Sequence, residues 1–215
     1  MVSSPITSFL DEQIVQQPSS VSADDVKHPT ARVHIIGASG SGKTTLGRAL
    51  AGELRCVHFD SDDFYWLPTD PPYQEKRPVD ERWRMLGDAV RGAEAWVLSG
   101  GVESWGDHRI LLCDLVVFLW LPKEVRIERL WSREIARYGL AAVSPGGTRR
   151  EAAEEFMAWA AAYDDSDSTV QSRRRHEDWL GKLPCPILRL DGELTTIAQV
   201  QTVVSLICDK RTDRA

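Results

Sequence analysis

Between Gly37 and Thr44 the chain reads GASGSGKT, which fits the spacing GxxxxGK[ST] at each fixed position. It follows a short β-rich run, ARVHIIG, and precedes KTTLGRALAGEL, where Leu46, Leu50 and Leu54 recur at helical spacing. Strand, glycine-rich loop and helix in that order severely restrict the fold. The glycines let successive backbone N–H groups turn inward toward an anion, and the helix adds the positive end of its dipole. Lys43 is placed to reach phosphate oxygens and is expected to face solvent, and the Thr44 hydroxyl is placed to ligate a divalent cation. Nucleotide binding follows as the first functional expectation.

Four further apolar runs, at 56–60, 95–100, 114–121 and 186–190, are continuous rather than alternating. They suit strands covered on both faces in a parallel sheet. Helices are expected at 43–54, 78–92, 123–138, 151–163 and 194–208. This predicts an α/β fold: a three-layer sandwich with a five-stranded parallel sheet, helices on both faces and a helical lid. Residues 1–29, rich in Ser, Gln, Pro and Asp, read as a mobile extension with a short helix near 9–16, and 30–215 as the folded domain.

A length of 215 residues suits one well-buried core. A net charge of -6 argues against a nucleic-acid surface, and no apolar run is long enough for a membrane span. The first twenty residues lack the pattern of a secretory signal, so the expected location is cytoplasmic. The four cysteines are scattered without CxxC spacing, which indicates neither a disulfide framework nor a zinc site.

In a doubly wound sheet, ligands gather at the carboxyl ends of the strands. The second run ends in HFDSDDFYW, placing Asp60, Asp62 and Asp63 beside the glycine-rich loop. Such a cluster suits a cation or a hydroxyl substrate, and Asp62 or Asp63 equally suits a cap on a following helix. The third run ends in SGG, where Gly100 and Gly101 permit close approach of a small ligand or simply a turn. The fourth has no acid at its carboxyl end, and no guanine-specifying Asn-Lys-x-Asp is present, which weakens motor and switch readings. After it, Arg126, Arg129, Arg133 and Arg137 recur three, four and four residues apart. That spacing stacks their side chains on one helical face. An anion would relieve their repulsion. Glu134 is placed to partner Arg137, and GLAAVSPGGTRR, about 137–150 with its approach, suits a lid. Trp66, Trp83 and Trp105, with Tyr65 and Tyr73, suit either a pocket wall or core.

These residues resemble the nucleoside-monophosphate-kinase-like group of P-loop (Walker A) proteins, which includes adenylate, shikimate and gluconate kinases. The resemblance spans most of 32–208 and implies a P-loop NTPase fold, ATP and Mg²⁺ as cofactors, and transfer of a γ-phosphoryl group to a small-molecule acceptor. It implies cofactor binding by Gly37, Ala38, Ser39, Gly40, Ser41, Gly42, Lys43, Thr44, Thr45 and Arg129, with metal contacts from Thr44 and Asp60. Catalysis would fall to Lys43, Asp60, Asp62, Arg133 and Arg137, and acceptor binding to Asp63, Arg82, Gly100 and Gly101. The acceptor arginine of the adenylate kinases has only the candidates Arg77, Arg82 and Arg84. Alternatives are a nucleoside-monophosphate kinase and a nucleotide-binding regulatory module. Monomer and homodimer both stay open.

Overall fold

The computed structural model describes residues 30–103, 105, 112–167 and 171–212. The expected extension at 1–29 and its short helix lie outside the described residues.

The apolar runs form β1 (Arg32–Gly37), β2 (Val57–Asp60), β3 (Trp96–Ser99), β4 (Leu115–Trp120) and β5 (Ile187–Asp191). They pair in parallel in the order β2-β3-β1-β4-β5. β1 is central, flanked by β3 and β4, and its two faces are buried differently. Val33 and Ile35 join Val117 and Leu119 against α1 (Lys43–Glu53) and α8 (Thr196–Thr212), through Leu46, Leu50, Val203 and Ile207. Ile36, with Leu98, Val116 and Phe118, faces α3 (Val79–Arg91) and α7 (Arg173–Leu180), through Trp83, Leu86 and Leu180. Period-two alternation explains this sorting. Leu46 and Leu50 are fully buried, and truncating either to Ala should cost about 2–5 kcal/mol.

The long helix α4 (Lys123–Tyr138) runs over its predicted range. α5 (Leu140–Val143) occupies part of the expected lid loop, and α6 (Arg150–Ala161) packs back on α4 through Leu130, Met157 and Ala160. The sequence pattern missed α5, α7 and α2 (Ser61–Tyr65), all short elements without a long hydrophobic period. Among the described residues no helix is long and apolar enough to cross a membrane.

Candidate active site at the carboxyl edge of the sheet

β1 ends at Gly37, and the chain turns through Gly40 and Gly42, with φ of 81° and 100°, before α1 begins. These left-handed conformations favour glycine. No side chain caps α1 at Gly42. Its first-turn N–H groups are left for an anion. Ser41 Oγ is also buried without a partner.

Lys43 does not project into solvent as expected. It is half-buried, and its Nζ donates to the Ala38 carbonyl at 2.7 Å, folded back across the loop it serves. Desolvation lowers its pKa from 10.5 to about 8, against the opposing pull of Asp62, Asp60 and Glu103, while Arg133 pushes it further down. The ammonium is held in a place that disfavours its charge.

Asp60 ties the loop to the second strand. Thr44 Oγ1 donates to Asp60 Oδ2 at 2.8 Å, and the Asp62 N–H donates to Asp60 Oδ1 at 3.1 Å. The cap of α2 is therefore Asp60, rather than Asp62 or Asp63, and the same side chain accepts from the Thr44 hydroxyl. Asp62 lies exposed in the first turn of α2. Desolvation and then Asp60 raise its pKa, while Lys43 and Arg133 lower it. Asp63 is raised by desolvation and Asp60 in turn, with His58 and Arg48 opposing.

The arginine stripe divides. Arg126 is fully buried and faces no anion site: it donates to the Leu121 and Ala160 carbonyls, pairs with Asp164 and lies over the Tyr163 ring. Helical spacing gave its direction, but the first turn of α4 is covered by the end of α6, so axial position decides its fate. Arg129 does reach the loop, with Nη1 3.7 Å from where a Gly42 Cβ would sit. Arg133 faces Asp62 and Lys43 electrostatically. Arg133 and Arg137 share Glu134 at 3.8 Å each, where the sequence assigned Glu134 to Arg137 alone. Arg137 also lies 5.1 Å from the Tyr73 ring centroid, so α4 meets the 66–78 segment.

Gly100 and Gly101 do not offer open space to a ligand. A Cβ on Gly100, whose φ is 106°, would strike the Ser61 hydroxyl, and one on Gly101 would strike the Glu103 carboxylate. Both glycines admit the protein's own side chains. The acceptor-arginine candidates are likewise engaged. Arg77 donates to the Phe64 and Trp66 carbonyls and to Glu81. Arg82 is buried, donates to the Arg77 carbonyl at 2.6 Å and lies 3.9 Å from the Tyr65 ring centroid. Arg84 is exposed and pairs with Asp88. Trp83 and Trp105 are core residues in contact at 5.1 Å, which leaves Tyr65, Trp66 and Tyr73 as the accessible aromatic group.

Sequence reasoning missed Glu103. Its side chain is 1% exposed, and neither carboxylate oxygen has a hydrogen-bond donor. His176 Nε2 stands 3.3 Å from Oε1, at ion-pair distance without an aligned hydrogen bond, and His176 Nδ1 meets the Tyr163 hydroxyl at 2.6 Å. Burial raises the Glu103 pKa, but His176 more than offsets it, so the group is held below the usual carboxylate range. His34 Nε2 donates to the Gly100 carbonyl at 2.7 Å, and burial lowers its pKa to about 4. The one signal in the sequence was an acid three residues beyond a glycine at a strand's carboxyl end. Its importance depends on His176, far along the chain.

Thr44 and Asp60 offer hydroxyl and carboxylate oxygens, the hard donors that suit Mg²⁺. No cluster of three or more His, Cys, Asp or Glu suited to a metal occurs among the described residues, so such an ion would rely on phosphate oxygens and water for its remaining ligands.

A family model described as AAA domain matches residues 33–145. An uncharacterized protein of Bacillus subtilis (strain 168), YqaC, is 40% identical over 175 residues, covering 81% of this chain and 96% of the relative. Among solved structures, shikimate kinase from Acinetobacter baumannii in complex with shikimate aligns over 85% of this chain and 96% of its own, at 15% identity and a TM-score of 0.48. A gluconokinase from Sinorhizobium meliloti 1021 aligns over 87% and 96%, at 15% identity and a TM-score of 0.44. Deoxyadenosine kinase from M. mycoides aligns over 83% and 99%, at 13% identity and a TM-score of 0.45. With a family model spanning more than half its length and a relative 40% identical across 81% of it, the chain belongs to the AAA domain family.

Proposed function

We propose that this protein is an ATP-dependent kinase that transfers the γ-phosphoryl group to a hydroxyl of a small molecule. The observation that carries the reading is the joining of Thr44 to Asp60 at 2.8 Å, with Asp62 beside it under the influence of Lys43 and Arg133. A module that only binds nucleotide has no use for a second carboxylate there.

The phosphate loop and Lys43 hold the β- and γ-phosphates, with Arg129 alongside Gly42. Thr44 and Asp60 would hold Mg²⁺, which would supply neutralisation of phosphate charge. Asp62 orients the acceptor hydroxyl and takes its proton as the oxygen bonds to phosphorus and the bond to the ADP oxygen breaks. Its raised pKa brings it nearer the pH at which a base is most effective. Arg133 and Arg137 stabilise charge on the transferred group, and the segment at 137–150 closes over it as a lid. Among the described residues, Arg77, Arg82 and Arg84 are all engaged, so the nucleoside-monophosphate alternative lacks its acceptor-phosphate contact.

Asp62→Asn is the test, read by acceptor-dependent ADP release. Transfer should fall by about two orders of magnitude with affinity for an ATP analogue largely kept, as a lost general base predicts. Parallel loss of nucleotide affinity would assign Asp62 to the metal and nucleotide instead.

A further inference from the structure

We infer that Cys113 and Cys185 form a reversible disulfide when the protein meets a peroxide, and that this bond is a covalent staple across the amino edge of the sheet. It does not depend on phosphoryl transfer and forms at the edge opposite the phosphate loop.

Spacing along the chain gives no sign of the pair, since the two thiols are 72 residues apart. The fold brings them together because β4 and β5 are neighbours. Cys113 lies shortly before Val116 and Cys185 shortly before Ile187, and Val116–Ile187 is the first registered pair of that ladder. The two sulfurs stand 3.6 Å apart, in contact but unbonded. A disulfide holds them at about 2.05 Å, so they must close by roughly 1.5 Å. The backbone beside each is already fixed. The Asp114 N–H donates to the Arg32 carbonyl at 2.8 Å, the Asp114 carboxylate accepts from the Arg32 guanidinium, and the Val116 N–H donates to the Pro186 carbonyl at 2.9 Å. Rotation of two short side chains, rather than movement of the strands, supplies the approach.

The sulfurs differ in access. Cys113 is buried with Val116 and Leu180 in the core beneath α3 and α7, whereas Cys185 is half-buried at the margin of that cluster. Burial, and then a charge on Cys185, hold the Cys113 thiol well above the usual thiol range. Cys185 is therefore the sulfur that meets the oxidant. Its thiolate attacks one peroxide oxygen, the O–O bond breaks and hydroxide leaves, so that Cys185 becomes a sulfenic acid. That step removes the charge which opposed ionisation of Cys113. The Cys113 thiol then gives up its proton and attacks the Cys185 sulfur; the S–O bond breaks and a second hydroxide leaves. The two thiol protons convert both hydroxides to water, so two thiols and one peroxide become one disulfide and two waters. A second thiol at contact distance also intercepts the sulfenic acid before it is oxidised further.

The bond closes a loop that holds β4 and α4 to α7. Such a link restricts the unfolded chain far more than the folded one, which makes the oxidised protein harder to unfold. β4 separates it from the phosphate loop by six residues, about 20 Å of strand, so the groups of that loop are left as they were.

The test uses the full chain carrying Cys208→Ser, which removes an exposed thiol able to join two copies. Samples treated with hydrogen peroxide or with dithiothreitol are capped at their remaining thiols and digested without reduction. Peroxide should give a peptide pair joined through Cys113 and Cys185 and raise the thermal midpoint by about 5–15 °C over the reduced protein, and dithiothreitol should reverse both changes. Adding Cys185→Ser, at the half-buried position, should leave a folded protein that shows neither change; Cys113→Ala repeats the check from the buried side. A midpoint rise that survives in Cys185→Ser overturns the inference. So does a bond to Cys56 instead, a Cys185 oxidised to sulfinic acid while Cys113 can still be capped, or a Cys113–Cys185 link that leaves the midpoint unchanged or lower.

Discussion

Lys43→Met tests the electrostatic tension in the phosphate loop. Lys43 has its pKa lowered from 10.5 to about 8 in the folded protein. Between those values the unfolded chain holds more protons than the folded one, so stability contributed by this group rises with pH from about 8 and levels off above 10.5. Below pH 8 the folded protein bears the full cost of a charged, desolvated ammonium, about 3 kcal/mol at 1.36 kcal/mol per pKa unit. The methionine variant escapes that cost but loses the bond to the Ala38 carbonyl, which returns about 1–2 kcal/mol. The variant should therefore be more stable than wild type by about 1–2 kcal/mol at pH 7, with the advantage gone by pH 10. Urea unfolding at both pH values measures this. Phosphate binding should restore the Lys43 proton. Wild-type affinity for a non-hydrolysable ATP analogue should then weaken about tenfold between pH 7 and 9, while that of Lys43→Met stays weak and flat. A wild-type affinity independent of pH over that range, or a methionine variant less stable than wild type at pH 7, would refute the reasoning.

Arg126→Met should destabilise the protein by about 2–4 kcal/mol, measured by urea unfolding, because it leaves Asp164 and two carbonyls without their donor. Arg133→Gln should leave the nucleotide-free protein as stable as wild type, yet reduce the thermal shift produced by MgATP analogue and slow transfer; hydrogen exchange across 133–150 that is equally protected with and without nucleotide would dismiss the lid. Gly100→Ala should cost about 2–4 kcal/mol by chemical unfolding, through strain at φ 106° and the clash with Ser61, and transfer should fail with it because α2 is displaced.

The phosphate loop was legible because its chemistry is local: eight consecutive residues and the flanking periods suffice. α4 was legible for the same reason, its sixteen residues carrying their own hydrophobic stripe. Arg126 was not, since periodicity reports angle around an axis and says nothing about which turn a neighbouring helix covers. Gly100 and Gly101 were read as admitting a small ligand or forming a turn, and that Ser61 and Glu103 approach them instead is a tertiary fact. The division of labour among the aspartates was half visible. Their clustering was plain, whereas the choice of Asp60 for both Thr44 and the α2 cap depends on register between β2 and α1. Glu103 lay in irregular chain, where neither period nor motif marks it.

The seating of Gly40 against α4 bears on the speed of nucleotide capture. A Cβ there would lie 2.8 Å from the Arg126 carbonyl and 3.0 Å from Leu130 Cγ, so the loop and the root of the arginine helix are built as a single piece. Arg126 is clamped at that root, and Arg129, one turn on, is aligned with Gly42 before nucleotide arrives. Under the proposed function, the conformational entropy of bringing that arginine to the phosphates would be lost when the chain folds rather than at each encounter. Arg133 and Arg137, one and two turns farther from the anchor, are where adjustment remains available. Under the proposed function the helix would act as a cantilever, its fixed end serving association and its free end the pace of turnover.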